Sequence, residues 1–177
     1  MIVPLFVNGL MIRALQLTIL IIIMASPSSL VNAESGLPVP RFVSLKDDKV
    51  FARAGPGDQY PINWVYLRHS FPVEIIDEYD NWRLVRDVDK VEGWIHSVML
   101  SGRRFAIVIM KEGEAIPVEL HRKPDELSTV IARLEVGVYG KLLDCTDDWC
   151  RIQFSPYKGW VKRNHIWGVY ENERFHK

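Results

Sequence analysis

The chain has 177 residues, enough for one ordinary domain or two small ones, and 48% of them are hydrophobic, so a packed core is possible. Lys plus Arg number 22 and Asp plus Glu number 22. With no basic excess to neutralise phosphates, this balance argues against nucleic acid as the main partner.

Residues 1–33 carry a single charge, Arg13, followed by an apolar run from Ala14 to Ala25 and then small and polar residues ending in Val31-Asn32-Ala33. A basic start, a short apolar stretch and a small-residue cleavage site make up a secretory signal. Cleavage after Ala33 leaves a chain beginning at Glu34. Met1 to Leu10 is apolar for a start, which makes Met11 an alternative initiator. The rival reading is an uncleaved anchor, the one way this chain would touch a membrane. A spanning helix needs about 20 apolar residues, and the stretch after Arg13 is shorter. The expectation is therefore a secreted protein.

Leu37-Pro38-Val39-Pro40 reads as an extended lead-in to Phe42-Val43. Gly55-Pro56-Gly57 cannot continue a strand, because its glycines favour unusual backbone angles and Pro56 has no amide to donate. Pro72 to Asp77 predicts a strand, Tyr79-Asp80-Asn81 a turn, and Trp82 to Arg86 the returning strand. The segment Ser101 to Val108 marks a short junction. Beyond it, Arg122 to Leu134 has some helical spacing, which Pro124 and the β-branched Thr129, Val130 and Ile131 weaken. Val138 to Leu143 leads into Cys145, and Cys150, Ile152 and Phe154 alternate with Arg151 and Gln153 as in a half-buried strand.

The region after the signal repeats itself. Trp82 with Arg83-Leu84-Val85, then Gly93-Trp94-Ile95, then Leu100 recur as Trp149 with Cys150-Arg151-Ile152, then Gly159-Trp160-Val161, then Ile166. Pro56 pairs with Pro124 upstream. A shared order of landmarks at nearly constant spacing implies a duplication. Each copy is too short for an open sandwich, so a small curled sheet that hides its edges is the economical architecture. The domain reading is signal 1–33, first barrel 41–104, second barrel 105–170 and a C-terminal tail 171–177. With no long linker between them, the barrels are expected to pack together.

Cys145 and Cys150 are the only cysteines. An even count in an exported chain suggests a disulfide, and the polar Thr146-Asp147-Asp148-Trp149 between them would let the thiols face each other across a hairpin. Two reduced thiols are the alternative; a metal site is weaker, because no second Cys or His pair stands at ligand spacing.

These landmarks resemble the bacterial SH3-like domain family: Arg53 with Gly55-Pro56-Gly57, Trp82, Gly93-Trp94-Ile95 and Leu100 in the first copy, and Pro124, Trp149, Gly159-Trp160-Val161 and Ile166 in the second. The second copy lacks the Gly-Pro-Gly form, so its first loop should differ. The resemblance implies an all-β chain of two tandem SH3-like barrels. It also implies a binding role at the cell envelope, towards murein peptides or envelope proteins.

Catalysis is not expected. The five histidines form no metal pattern, the cysteines are expected to pair, no Gly-x-Ser-x-Gly elbow occurs, and the carboxylates sit in turns or alternate with apolar residues. Gly55-Pro56-Gly57 lacks the Lys and helix of a phosphate loop. No cofactor or metal is expected. A murein hydrolase stands only as a third reading.

Binding is expected at aromatic residues. Tyr60, Trp64 and Tyr66 follow the Gly-Pro-Gly turn, where an SH3-like barrel has its long variable loop. Trp149 has opposite parity to Ile152 and Phe154, so its ring, and that of its counterpart Trp82, should lean away from the core and offer a flat contact. The competing reading makes these rings caps on the barrel ends. Trp94 and Trp160 are expected in the core. Two functions follow: an envelope recognition module for murein peptide or a partner protein using Tyr60, Trp64, Tyr66 and Trp82, or a structural adaptor joining proteins in the periplasm.

Overall fold

A computed structural model describes residues 35–110 and 117–176; the signal reading of residues 1–33 lies outside them. The described residues form β-strands with two short 3₁₀ turns and no α-helix. The first sheet contains β1 (Arg41–Leu45), β2 (Val50–Arg53), β3 (Ile62–Tyr66), β4 (Pro72–Tyr79), β5 (Trp82–Arg86), β6 (Glu92–His96) and β7 (Leu100–Ser101). The second contains β8 (Phe105–Val108), β9 (Val118–His121), β10 (Val130–Leu134), β11 (Tyr139–Cys145), β12 (Trp149–Phe154), β13 (Tyr157–Lys162) and β14 (Ile166–Trp167). Strand order is β3-β2-β6-β5-β4-β1-β7 in one and β10-β9-β13-β12-β11-β8-β14 in the other, so each strand of the first has its counterpart seven places later. The duplication read from four landmarks thus holds for the whole topology: two tandem SH3-like barrels.

The β4–β5 hairpin pairs Tyr79 with Trp82, and Asp80 takes φ 47°. Tight two-residue hairpins need such left-handed residues, and Asp tolerates them better than most. In the second copy the equivalent hairpin pairs Cys145 with Cys150, whose sulfurs are bonded, with Cα atoms 4.1 Å apart. The segment with weak helical spacing is instead a loop followed by the edge strand β10, as its β-branched residues favour.

Each sheet wraps its own core: Val43, Val50, Val73, Val85 and Ile95 in the first, and Leu120, Leu142, Ile152, Val161 and Ile166 in the second. The glycines of the two Gly-Trp pairs point inward. A Cβ on Gly93 would lie 2.8 Å from the Ala52 Cβ, and one on Gly159 would lie 2.6 Å from the His121 carbonyl oxygen. Only a residue without a side chain fits where β6 crosses β2 and β13 crosses β9. Since neighbouring residues alternate between faces, Trp94 and Trp160 face outward and are half-buried. The expectation that they fill the core is corrected: Ile95 and Val161 do so.

Strand β8 joins the barrels. Its Ala106 and Val108 enter the second core, while Ile107, 3% exposed, enters the first. Full burial of such a side chain stabilises by about 1.5–3 kcal/mol. Around it Phe42 packs on Trp167 and Tyr170, at ring-centroid distances of 4.9 and 4.7 Å, and Phe71 packs edge-on against Tyr139 at 5.7 Å. The Tyr139 hydroxyl donates to the His69 carbonyl and the Tyr170 hydroxyl to Glu74. The barrels therefore pack through aromatic rings rather than hang on a linker.

Residues 171–176 are not a free tail. Strand β15 (Phe175–His176) pairs with β11, and the Glu173 carboxylate accepts two hydrogen bonds from Arg104. Arg163, itself buried, donates to the carbonyls of Thr146, Asp147, Tyr170 and Glu173, tying this segment to the disulfide hairpin.

Candidate functional site

The Gly-Pro-Gly turn sets up one edge of the first barrel. Arg53, at the end of β2, donates to the Tyr60 carbonyl at 2.8 Å and pairs with Asp58 at 3.2 Å, while the Ala54 amide donates to the Pro61 carbonyl at 3.0 Å. A Cβ on Gly55 would meet the Tyr60 ring at 2.5 Å, so the missing side chain lets that ring lie on the turn backbone. The chain then enters β3 directly. The expected long loop is a strand from Ile62 onward, because Ile-Asn-Trp-Val-Tyr is strong β-forming sequence.

Strand β3 ends its sheet and pairs only with β2 among the described residues. Four of its five residues are exposed, including Ile62 at 45%, Trp64 at 48% and Val65 at 38%. Phe51, opposite Val65, and Leu67 just beyond the strand are exposed as well, and Tyr60 stands at its head. Sheet edges are normally blunted by charge or proline, because their free N–H and C=O groups template another strand. Ile62–Tyr66 carries neither. The counterpart β10 carries Arg133, paired with Glu119 at 3.9 Å, and half-buries Ile131 and Ala132. The first barrel thus presents an unguarded apolar edge, and the second a guarded one.

Of the four residues expected to bind, the structure brings Tyr60 and Trp64 to this edge. Tyr66 is corrected. It lies opposite Val50 on the core face, is 5% exposed, stacks on Phe71 and donates its hydroxyl to the buried Asp87 carboxylate at 3.1 Å. Burial first, and the adjacent Asp87 second, push its hydroxyl pKa well above the ordinary 10. Its role is to root Trp64, whose ring stands edge-on to it at 6.4 Å. Trp82 is corrected too. Its parity is outward as counted, yet it is only 9% exposed, because His96, its cross-strand partner, covers it with rings edge-on at 5.3 Å. Trp149 is covered by His121, which reaches it from β9 with rings edge-on at 5.2 Å. Both are end caps. The residues missed were Phe51, Ile62, Val65 and Leu67; a five-residue strand without charge beside a turn was the available signal.

A second depression, about 720 Å³, lies beside Trp149 among Glu126, Asp147, Asp148, Lys162 and Asn164. Its charges are largely spent internally: Glu126 pairs with Lys162, and Asp147 with Arg174 at 3.0 Å. The Lys162 hydrogen bond, and then its charge, hold the Glu126 pKa below the usual carboxylate value. Among the described residues no group of three His, Cys, Asp or Glu is placed to hold a metal. The disulfide leaves no free thiol. What the geometry at β3 can do is accept an extended chain alongside.

The bacterial SH3 domain matches this sequence twice, at residues 46–102 and 114–168. The chain belongs to that family. Each match covers one of the two sheets except its first strand, β1 or β8, so this bacterial SH3 protein is a tandem one. Among solved structures it is similar to NlpC2 from Trichomonas vaginalis, at 16% identity over 74% of this chain and 49% of that one, with a TM-score of 0.33. It is also similar to NlpC1 from Trichomonas vaginalis, at 17% identity over 80% and 50% of the two chains, TM-score 0.32. A third is an NlpC/P60 family protein from Bacillus cereus, at 11% identity over 71% and 55%, TM-score 0.30. This tandem SH3 chain spans about half the length of each. No curated protein matches it.

Proposed function

We propose that this protein is a non-catalytic recognition module of the bacterial cell envelope, exported to the periplasm, that binds an extended peptide of the murein or of an envelope protein along β3. The observation that carries this reading is the uncharged edge Ile62–Tyr66, with exposed apolar groups on both of its faces. An incoming strand would gain main-chain hydrogen bonds from the edge and side-chain contacts from Tyr60 and Trp64 on one side and Phe51 and Val65 on the other. Aromatic rings suit this, since they offer large contact area at low entropy cost.

Retention of the mature protein on purified sacculi at low salt, reduced when Tyr60 and Trp64 are replaced by Ala, supports murein as the partner. No retention of any form counts against it. The structural-adaptor reading has one feature in its favour: the barrels pack into one body, which fixes the edges β3 and β10 relative to each other. It expects a stable protein complex in envelope pull-downs and no affinity for wall fragments.

A further inference from the structure

At the opposite end of the first sheet from β3, the N-terminal segment, β7 and the C-terminal strand β15 enclose a cleft of about 480 Å³, within the size range of about 300–1,000 Å³ for sites that hold small ligands. Its walls are apolar where Phe42, Val43, Ile75, Leu100 and Phe175 line it. Beside Ser35, Ser97 and Ser101, its charged lining residues are all cationic. Arg41, Arg83 and Arg104 all reach it. Two carboxylates answer these three guanidiniums: Glu78, which bridges Arg41 at 2.5 Å and Arg83 at 3.0 Å, and Glu173, which binds Arg104. Among the residues lining the cleft and their ion-pair partners, one positive charge is left over.

Arg104 shows where that excess is felt. Its guanidinium lies between the rings of Phe42 and Phe175, at 5.7 and 5.4 Å from their centroids. Its terminal nitrogens are taken by Glu173 and by the Gly168 carbonyl. Its Nε is buried and has no hydrogen-bond partner among the described residues. A buried donor left unmade is costly, and an acceptor that reaches it from the cleft as the side chains over it shift relieves that cost. Alongside runs β7, the other edge strand of the sheet, paired only with β1 among the described residues.

We propose that this cleft binds the free C-terminal carboxylate of a peptide whose last side chain is apolar. The carboxylate meets the surplus guanidinium charge and the vacant Arg104 Nε–H. The terminal side chain enters the apolar wall, and the preceding main chain lies along β7. This site is separate from β3 and does not rest on the function proposed above.

The probe is N-acetyl-Ala-Ala-Phe with a free carboxylate, set against the same peptide as its C-terminal amide. Binding is followed by the Arg104 Nε–H resonance in ¹H–¹⁵N spectra of the mature protein. The free acid should shift that resonance saturably, and the amide should bind about tenfold or more weakly. Gly102 lines the cleft with open space around its Cβ position, so Gly102→Asp adds an opposing charge without a clash. It should weaken the acid about tenfold, whereas Trp64→Ala, on the other edge, should leave it unchanged. Equal binding of acid and amide, no saturable shift at Arg104, or indifference to Gly102→Asp would overturn the proposal.

Discussion

Gly93→Ala probes the reason a Gly-Trp pair closes each barrel. The added Cβ would sit 2.8 Å from the Ala52 Cβ, where relaxed carbon contacts are about 3.5–4.0 Å. Both atoms are attached to paired strands, so relief requires β2 and β6 to separate. Overpacking of this kind costs about 1–3 kcal/mol, and the lower chain entropy of unfolded Ala returns about 0.4–1 kcal/mol. The net loss should be about 1–2 kcal/mol, read as a lower urea midpoint at unchanged slope by tryptophan fluorescence. In a thermal melt it amounts to a drop of about 2–8 °C, at about 2–4 °C per kcal/mol for a unit of this size. Ala52→Gly in the same background removes the opposing carbon and should recover most of the loss, giving a coupling well above the additivity error of about 0.5 kcal/mol. Gly159→Ala should cost more and have no such rescue, since its Cβ meets the His121 carbonyl oxygen, a backbone atom. If Gly93→Ala is neutral, or Ala52→Gly fails to rescue it, the close crossing of β2 and β6 is not why glycine stands there.

Replacing both Cys145 and Cys150 by Ala should cost about 2 kcal/mol from the lost ring closure alone; because both sulfurs are buried, dithiothreitol should reduce the native bond only slowly, which mass spectrometry after thiol labelling would reveal. Burial pushes the Glu78 carboxyl up, but the Ser35 amide, Arg41 and the Ser35 hydroxyl outweigh it and hold the pKa below its ordinary 4.5. The lowered native pKa means that Glu78 stabilises the fold fully above about pH 4.5, and that this contribution is lost as pH falls through the native value; Glu78→Gln should flatten the melting-temperature curve in that acid range. Truncation after Tyr170 removes Glu173 and Phe175 and strands Arg104, so it should destabilise the chain by about 1–3 kcal/mol in urea unfolding; no change would mean that β15 is not part of the second barrel.

Much of the fold could be read from short-range chemistry. Alternation in Cys150-Arg151-Ile152-Gln153-Phe154, the Tyr79-Asp80-Asn81 turn and the Gly-Pro-Gly break each follow from a few neighbouring residues, and the repeat carried them to the second copy. The errors arose where a residue's face and its cover are different questions. Parity placed Trp82 and Trp149 outward correctly, but His96 and His121 arrive from other strands to cover them. A Gly before and an Ile or Val after suggest a core place for Trp94 and Trp160, although Ile95 and Val161 themselves claim the inward face and force the tryptophans out. Tyr66 looked like a continuation of an aromatic loop, whereas the pairing of Val50 with Tyr66 turns it inward. The contribution of β15 depends on Arg104, which lies 69 residues before Glu173, and on Arg163 beyond the turn at Tyr170, and no local pattern announces such contacts.

Amide hydrogen exchange across Ile62–Tyr66, measured on the mature protein with and without peptides released from purified sacculi, bears most directly on the function proposed for β3. Added peptide should protect these amides, and Trp64→Ala should abolish the protection while leaving exchange in β10 unaffected. Peptide binding that slows exchange elsewhere in the barrels but leaves β3 as open as in the free protein would contradict it.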